Sequence, residues 1–432
     1  MKKQYIYSFI FLFIIGEIIA QQTPAPKQTE DYSIEGATAH IGNGEVIENS
    51  LIMFSNGKLK FVGSANTKIA RLGNIINAKG KHVYPGFIVA NTSLGLGEID
   101  AVRATLDYDE VGAMNPHIRS LIAYNSESKV VESMRPNGVL MGQITPRGGT
   151  ISGTSSVVQF DAWNWEDAAI KINDGIHINW PQSFTYGKWW LGEDAGAKPD
   201  KKYATNVEKI TTFISNSKRY LKSNKNPKNL PFEAMEGLFN GEKKLYIHAS
   251  GVQEITDAIN FIKKAGINNI VIVHGNDAYK IADLLVKNNI PVILERAHRV
   301  PSSSDTDYDL PYRSAKLLVE KGVTVAIGME GSMERMSARN LPFYAGTYAA
   351  YGLNKEEALK LITSNAAKIL GINDIVGTLE VGKDATLFIS EGDALDMRTN
   401  ILTYAFIQGR KISLETHQTK LWKKYSKKYG LQ

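Results

Sequence analysis

From residue 82 onward, apolar runs of strand length alternate with stretches of helical spacing, and this alternation limits the fold more than any other feature. The runs predicted as strands are 82–90, 139–145, 156–160, 177–179, 245–248, 270–274, 292–295 and 323–328. The later connections read as helices. Residues 252–265 carry apolar side chains at helical spacing and stop at Gly266; 278–287 repeat the pattern, and 314–321 end at Gly322. Eight strands with such crossovers predict an α/β fold, a (β/α)8 TIM-type barrel over 82–372. A polar, Lys- and Asn-rich segment, 187–231, is expected as an excursion over the barrel mouth.

The flanks read differently. Residues 31–81 are short strands and turns, with hairpin signals at Asn43-Gly44 and Asn56-Gly57. After a helix at 355–370, strand character returns at 376–389 and 401–412, with a turn at Gln408-Gly409. Segments 31–81 and 373–412 are therefore predicted to build one small β-sandwich-like domain into which the barrel is inserted. Residues 413–432 form a basic C-terminal helix carrying Lys420, Lys423, Lys424, Lys427 and Lys428. Its charged face is either solvated or binds a membrane or partner.

At the N-terminus, Lys2 and Lys3 precede an apolar run, 5–15, and Ala20 precedes a polar stretch. That order is the one of a secretory signal over 1–20, followed by a flexible tether at 21–30, and the run is short for a membrane span. Glu17 and Ile18 make the cleavage site imperfect and keep an uncleaved anchor in play. The expected location is the periplasm or the exterior, with no stable membrane span after cleavage. The chain has no cysteine, which removes disulfides, thiolate metal sites and a lipid-modified cysteine. A net charge of +6 over 432 residues does not argue for a nucleic-acid partner.

Three stretches carry a family resemblance. Pro85-Gly86-Phe87-Ile88 ends the first predicted barrel strand. Residues 361–371, Leu-Ile-Thr-Ser-Asn-Ala-Ala-Lys-Ile-Leu-Gly, follow the barrel, and 377–385, Gly-Thr-Leu-Glu-Val-Gly-Lys-Asp-Ala, lead back into the β domain. Together they resemble the amidohydrolase superfamily, in its imidazolonepropionase-like form, over about 31–412. Thr386 stands where the family often has Asp.

The resemblance implies metal-dependent hydrolysis at the C-terminal ends of the strands, and it implies site residues one by one. The family's first-strand Asp-x-His-x-His falls on Val89, Asn91 and Ser93, so a standard two-metal centre is not expected. The fifth- and sixth-strand histidines match His248 and His274, and the eighth-strand Asp matches Glu330, one methylene longer. Lys171 and His177 are the candidates for a fourth-strand ligand. Asn91, Ser93 and Arg147 are candidate substrate contacts, Arg147 within a Gly- and hydroxyl-rich loop at 145–155 that suits an anion. Five of the six tryptophans lie between 163 and 190, either lining the mouth or packing the excursion.

Two functions follow from this pattern. In the first, His248 and His274 hold one divalent metal, zinc by ligand type, and Glu330 acts as general base on a non-peptide C–N bond of an amide or cyclic amide. In the second, the chain is a non-catalytic homologue without metal that binds a ligand or a partner subunit through the same mouth. The expected partners are a small-molecule substrate and a second subunit, either a copy of the chain or a related amidohydrolase.

Overall fold

The computed structural model describes residues 23–193, 196–301, 306–330 and 333–431. The signal sequence expected at 1–20 lies outside them. Strands β1 (Tyr32–His40), β2 (Val46–Ser55), β3 (Lys58–Ser64), β4 (Asn74–Asn77) and β5 (His82–Pro85) come first. The barrel strands are β6 (Phe87–Thr92), β7 (Val139–Ile144), β8 (Ile151–Gln159) and β9 (Ala169–Asn179), then, after a small hairpin of β10 (Phe184–Tyr186) and β11 (Ala197–Pro199), β12 (Lys244–Ala249), β13 (Ile270–His274), β14 (Val292–Leu294) and β15 (Val325–Ile327). β16 (Leu387–Ser390), β17 (Leu402–Ile407) and β18 (Arg410–Lys411) complete the set.

Both ends of the chain build one sheet. Its path runs β18-β17-β16-β5-β1-β2-β3, with β4 added on β1. The eight strands pair as one continuous sheet, which does not by itself confirm the β-sandwich-like domain expected from the sequence. The Asn56-Gly57 turn joins β2 to β3, and both residues have positive φ, which glycine and asparagine tolerate best. A separate apolar core, including Ile34, Phe54, Leu59 and Phe406, holds this sheet together. Residues 23–30 are not a free tether. Ala25 N–H donates to Asp161 at 2.9 Å, its carbonyl accepts from Arg410, and Gln28 accepts the Gly57 N–H.

The barrel sheet has eight strands in the order β15-β14-β13-β12-β9-β8-β7-β6 and is nearly closed by a bridge between Ala90 and Gly328. It departs from the expected (β/α)8 pattern at one strand: β8 is antiparallel to both β7 and β9. The connections explain this. Only 145–150 join β7 to β8, and only 160–168 join β8 to β9. A parallel crossover needs roughly a dozen residues or more. The predicted loop at 145–155 therefore ends early, and Ser152, Gly153, Thr154 and Ser155 are buried members of β8. The first strand is also split, because 82–85 belong to the composite sheet and the barrel begins at Phe87.

The excursion at 187–231 contains a 19-residue helix, Tyr203–Leu221, packed on the barrel through Val207, Ile210 and Ile214. It is the crossover from β9 to β12. The helix expected at 355–370 is broken into Lys355–Lys360 and Ser364–Leu370. At the break, the carbonyls of Leu361 and Ile362 accept the N–H groups of Ile327 and Ile88, which tie the ends of the last and first barrel strands together. Among the described residues no helix is long and apolar enough to cross a membrane.

Candidate metal centre

Parallel pairing brings the ends of β9, β12 and β13 side by side, with His177 opposite Tyr246 and Ala249 opposite His274. β6 and β15 meet across the closure, and this brings Asn91 to Glu330. Two histidines and one carboxylate converge there. His248 Nδ1 lies 3.1 Å from Glu330 Oε2, His274 Nε2 lies 2.5 Å from the same oxygen, and the two ring nitrogens are 3.3 Å apart. Among the described residues this is the group able to hold a metal ion through three side chains. Both His274 (φ +76) and Asn91 (φ +47) sit in the left-handed region at their strand ends. For non-glycine residues such backbone costs about 1–3 kcal/mol and is concentrated at functional sites.

Each histidine is fixed from behind. His177 is fully buried, and its Nδ1 lies 2.9 Å from His248 Nε2 while its Nε2 lies 2.9 Å from Ser155 Oγ. Ser155 donates to Asp174 Oδ1 at 2.7 Å, and Asp174 Oδ2 accepts from Tyr246 (2.7 Å) and Gln143 (2.9 Å). Because the Ser155 hydrogen goes to the carboxylate, its oxygen accepts from His177 Nε2–H. His177 Nδ1 is then an acceptor, so His248 donates through Nε2 and presents the Nδ1 lone pair to the centre. On His274, Glu295 takes Nδ1–H at 3.1 Å, which leaves Nε2 facing inward. Metal-bound histidines are commonly oriented by such outer hydrogen bonds.

Electrostatics agree with this arrangement. Burial, reinforced by the charges of His248 and Arg147, holds His177 well below the usual imidazole range. Burial also lowers His248, against the pull of Glu330. For His274, burial is outweighed by Glu330 and Glu295, which lift the ring to about 10. Glu330 is pushed up by burial but held well below the carboxylate range by Arg147, His248 and His274.

The structure sorts the remaining candidates. His177 is behind His248 with both nitrogens engaged and is not among the three convergent groups. Lys171 is at the other end of the barrel, its ammonium 3.0 Å from the Leu370 carbonyl at a helix C-terminus. β9 explains the distance: Lys171 and His177 stand six residues apart on one strand. Asn91 and Arg147 both reach Glu330. Ser93 is buried in the turn after β6, where its carbonyl accepts the Leu96 N–H, and it is not among the three convergent groups. Glu295, Asp174, Ser155 and Gln143 were not recognised from sequence. Glu295 did carry a signal, since it ends an apolar strand run just as His248 and His274 do.

Beside the centre a cleft of about 810 Å³ runs past Trp180, Phe184 and Tyr186 to His248, His274 and Asn276. Of the clustered tryptophans, Trp180 is buried and lines this cleft, while Trp163 and Trp190 are exposed.

Comparison with known proteins points to one family. The model of the "Amidohydrolase family" matches residues 233–420, which include the segments carrying His248, His274 and Glu330. An amidohydrolase from Thermotoga maritima superposes with a TM-score of 0.76 at 24% identity, covering 88% of this chain and 99% of that one. These matches support the amidohydrolase superfamily. Among superfamily relatives, the imidazolonepropionase of Symbiobacterium thermophilum is 31% identical over 144 residues, which span 33% of this chain and 32% of that protein. The imidazolonepropionase of Clostridium tetani is 21% identical over 394 residues, 81% of this chain and 86% of that protein. An adenosine deaminase from Xanthomonas campestris with bound zinc shares the fold at 14% identity, with a TM-score of 0.53.

Proposed function

We propose that this amidohydrolase hydrolyses non-peptide C–N bonds in amides or cyclic amides, using one divalent metal ion. The observation that carries the proposal is the convergence of His248 Nδ1, His274 Nε2 and Glu330 Oε2 at the mouth of the barrel. Two imidazoles and a carboxylate suit zinc and leave positions open for substrate and water. Bound there, the ion would polarise the scissile carbonyl and acidify water.

The chain's own groups do the rest. Asp174, Ser155 and His177 keep His248 neutral at Nδ1, and Glu295 turns the His274 ring inward. Glu330 offers two different oxygens. Oε2 faces the histidines, while Oε1 faces Arg147 at 3.8 Å and takes the proton of the attacking water before passing it to the leaving nitrogen. The cleft beside the centre, lined by Trp180, Phe184 and Asn276 among others, holds the substrate. Export is part of the proposal and is supported by the charged, apolar, small-residue order of 1–20. The imidazolonepropionase relatives support a cyclic amide as the first substrate to try.

The test is turnover by zinc-reconstituted protein on a panel of cyclic amides, imidazolones and N-acyl compounds. The proposal expects activity that chelation removes and zinc restores. Zinc-loaded, folded protein inactive on every class would favour the ligand-binding reading, to which Asn91 at the family's histidine position already lends some weight.

A further inference from the structure

The family's first-strand position is not vacant here, because a guanidinium has been built into it. Arg147 leaves the short loop between β7 and β8 and reaches back across the mouth to the end of β6. Its Nη1 donates to Asn91 Oδ1 at 3.0 Å, and its Nη2 donates to the Asn91 carbonyl at 3.1 Å and to the Met329 carbonyl at 3.4 Å. Its Nε is buried without a hydrogen-bond acceptor among the described residues and lies 3.8 Å from Glu330 Oε1. Asn91 completes the unit by donating its amide to Glu330 Oε2 at 2.8 Å. Glu330 therefore stands between two positive features, the metal position at the histidines and the arginine at Asn91.

The arginine is held in place by more than these contacts. Its backbone N–H donates to the Tyr108 carbonyl at 2.6 Å, and Asp109 pairs with it in a parallel bridge. Gly148 and Gly149 follow with φ of +77° and +59°, a turn that returns the chain at once into β8. The side chain is 13% exposed. A cation fixed in this way at low exposure repels a second cation strongly, since charges close together in a poorly hydrated site are weakly screened.

We propose that Arg147 stands in for a metal ion at the first-strand position, supplying the positive charge that holds Glu330 and excluding a second divalent ion. Loss of the two histidines is then only half of the reason for a single-metal centre. The inference takes its setting from the proposed function but predicts a difference in metal content that does not depend on the wild-type count.

The experiment counts zinc per chain by plasma mass spectrometry after reconstitution and desalting. Four proteins are compared: wild type, Asn91→His/Ser93→His, the same pair with Arg147→Gln, and Arg147→Gln alone. Thermal unfolding confirms that each is folded. The pair alone is expected to gain no ion over wild type, and the triple variant to gain one over the pair. A gain in the pair alone, or no gain in the triple variant, overturns the proposal. A wild type without zinc would instead contradict the one-metal function, and the difference between pair and triple variant would still judge Arg147. If the glutamine fails to fold, Arg147→Lys and Arg147→Met replace it: lysine should match the pair and methionine exceed it by one ion, and equal counts overturn the idea.

Discussion

His177 accepts a hydrogen bond from His248 across 2.9 Å, and the imidazole proton thereby stays on the side away from the candidate metal centre. His177 thus stands behind the candidate metal site without being one of its three convergent groups. The same strand that carries His177 also carries Asp174, three residues earlier, and Ser155 links the two from β8. The antiparallel insertion of β8 is what makes this link, because it lays Gly153 beside His177 and Ser155 beside Gly175.

Breaking that chain should weaken metal binding without unfolding the barrel. We predict that His177→Phe lowers zinc affinity by roughly 10–100-fold, as loss of outer-shell partners does elsewhere. Ser155→Ala should act in the same direction. A competition titration with a zinc indicator measures this, and affinities within a factor of two of wild type would remove His177 from the account.

Glu295 plays the corresponding part for His274. Glu295→Ala leaves Nδ1–H without its acceptor and frees the ring to turn, so zinc affinity should fall by about tenfold or more. Glu295→Gln keeps an acceptor oxygen and should retain more affinity than alanine. Equal losses in the two variants would mean that charge, not orientation, is what Glu295 contributes.

Glu330→Gln removes the base while leaving an oxygen near the histidines. Turnover should fall by about 10²–10⁴-fold, the usual contribution of general-base catalysis. The zinc content of the same sample separates loss of proton transfer from loss of metal.

The metal-free centre should be sensitive to alkali. His274 is raised to about 10 by Glu330 and Glu295, above its ordinary value near 6.5. A group whose pKa is raised on folding stabilises the fold fully below its unfolded pKa and loses that contribution as pH rises toward the folded one. Metal-free protein should therefore lose stability as pH climbs from about 6.5 to 10. His274→Gln should flatten this slope in urea unfolding, and an unchanged slope would assign it to another group.

Far from the centre, Asp161 is buried between Arg135 (2.7 Å) and Arg410 (3.1 Å) and also receives the Ala25 N–H. Asp161→Ala strands buried positive charge and should cost about 3–5 kcal/mol of stability. Urea unfolding measures the loss. The variant should bind zinc like wild type at low temperature.

Much of this architecture was legible in the sequence, for a physical reason. Strands that end in His248 and His274 are continuous apolar runs, because both faces of a parallel barrel strand are buried, and a polar residue at the end of such a run stands out. Glu330 was legible in the same way. What escaped notice was polar chemistry inside strands. The first half of β8, 151–155, is rich in Ser, Thr and Gly and reads as a loop, although the strand is wholly buried. Its side chains meet Asp174 and His177 on a neighbouring strand, and pairing across a sheet leaves no mark in local spacing. In the sequence Arg147 reads as an anion ligand, since nothing there says that it turns back to Asn91. Lys171 was misplaced because β9 runs the full depth of the barrel, with its start at the end opposite the chemistry.

The central claim is that His248, His274 and Glu330 hold a single metal ion, and metal content tests it most directly. Wild-type protein reconstituted with zinc and desalted should retain about one ion per chain, the stoichiometry of a single three-ligand catalytic site. His274→Ala, with its native unfolding transition preserved, should retain close to none. Wild type that melts normally yet keeps no zinc, or a His274→Ala protein that keeps as much as wild type, would contradict the account.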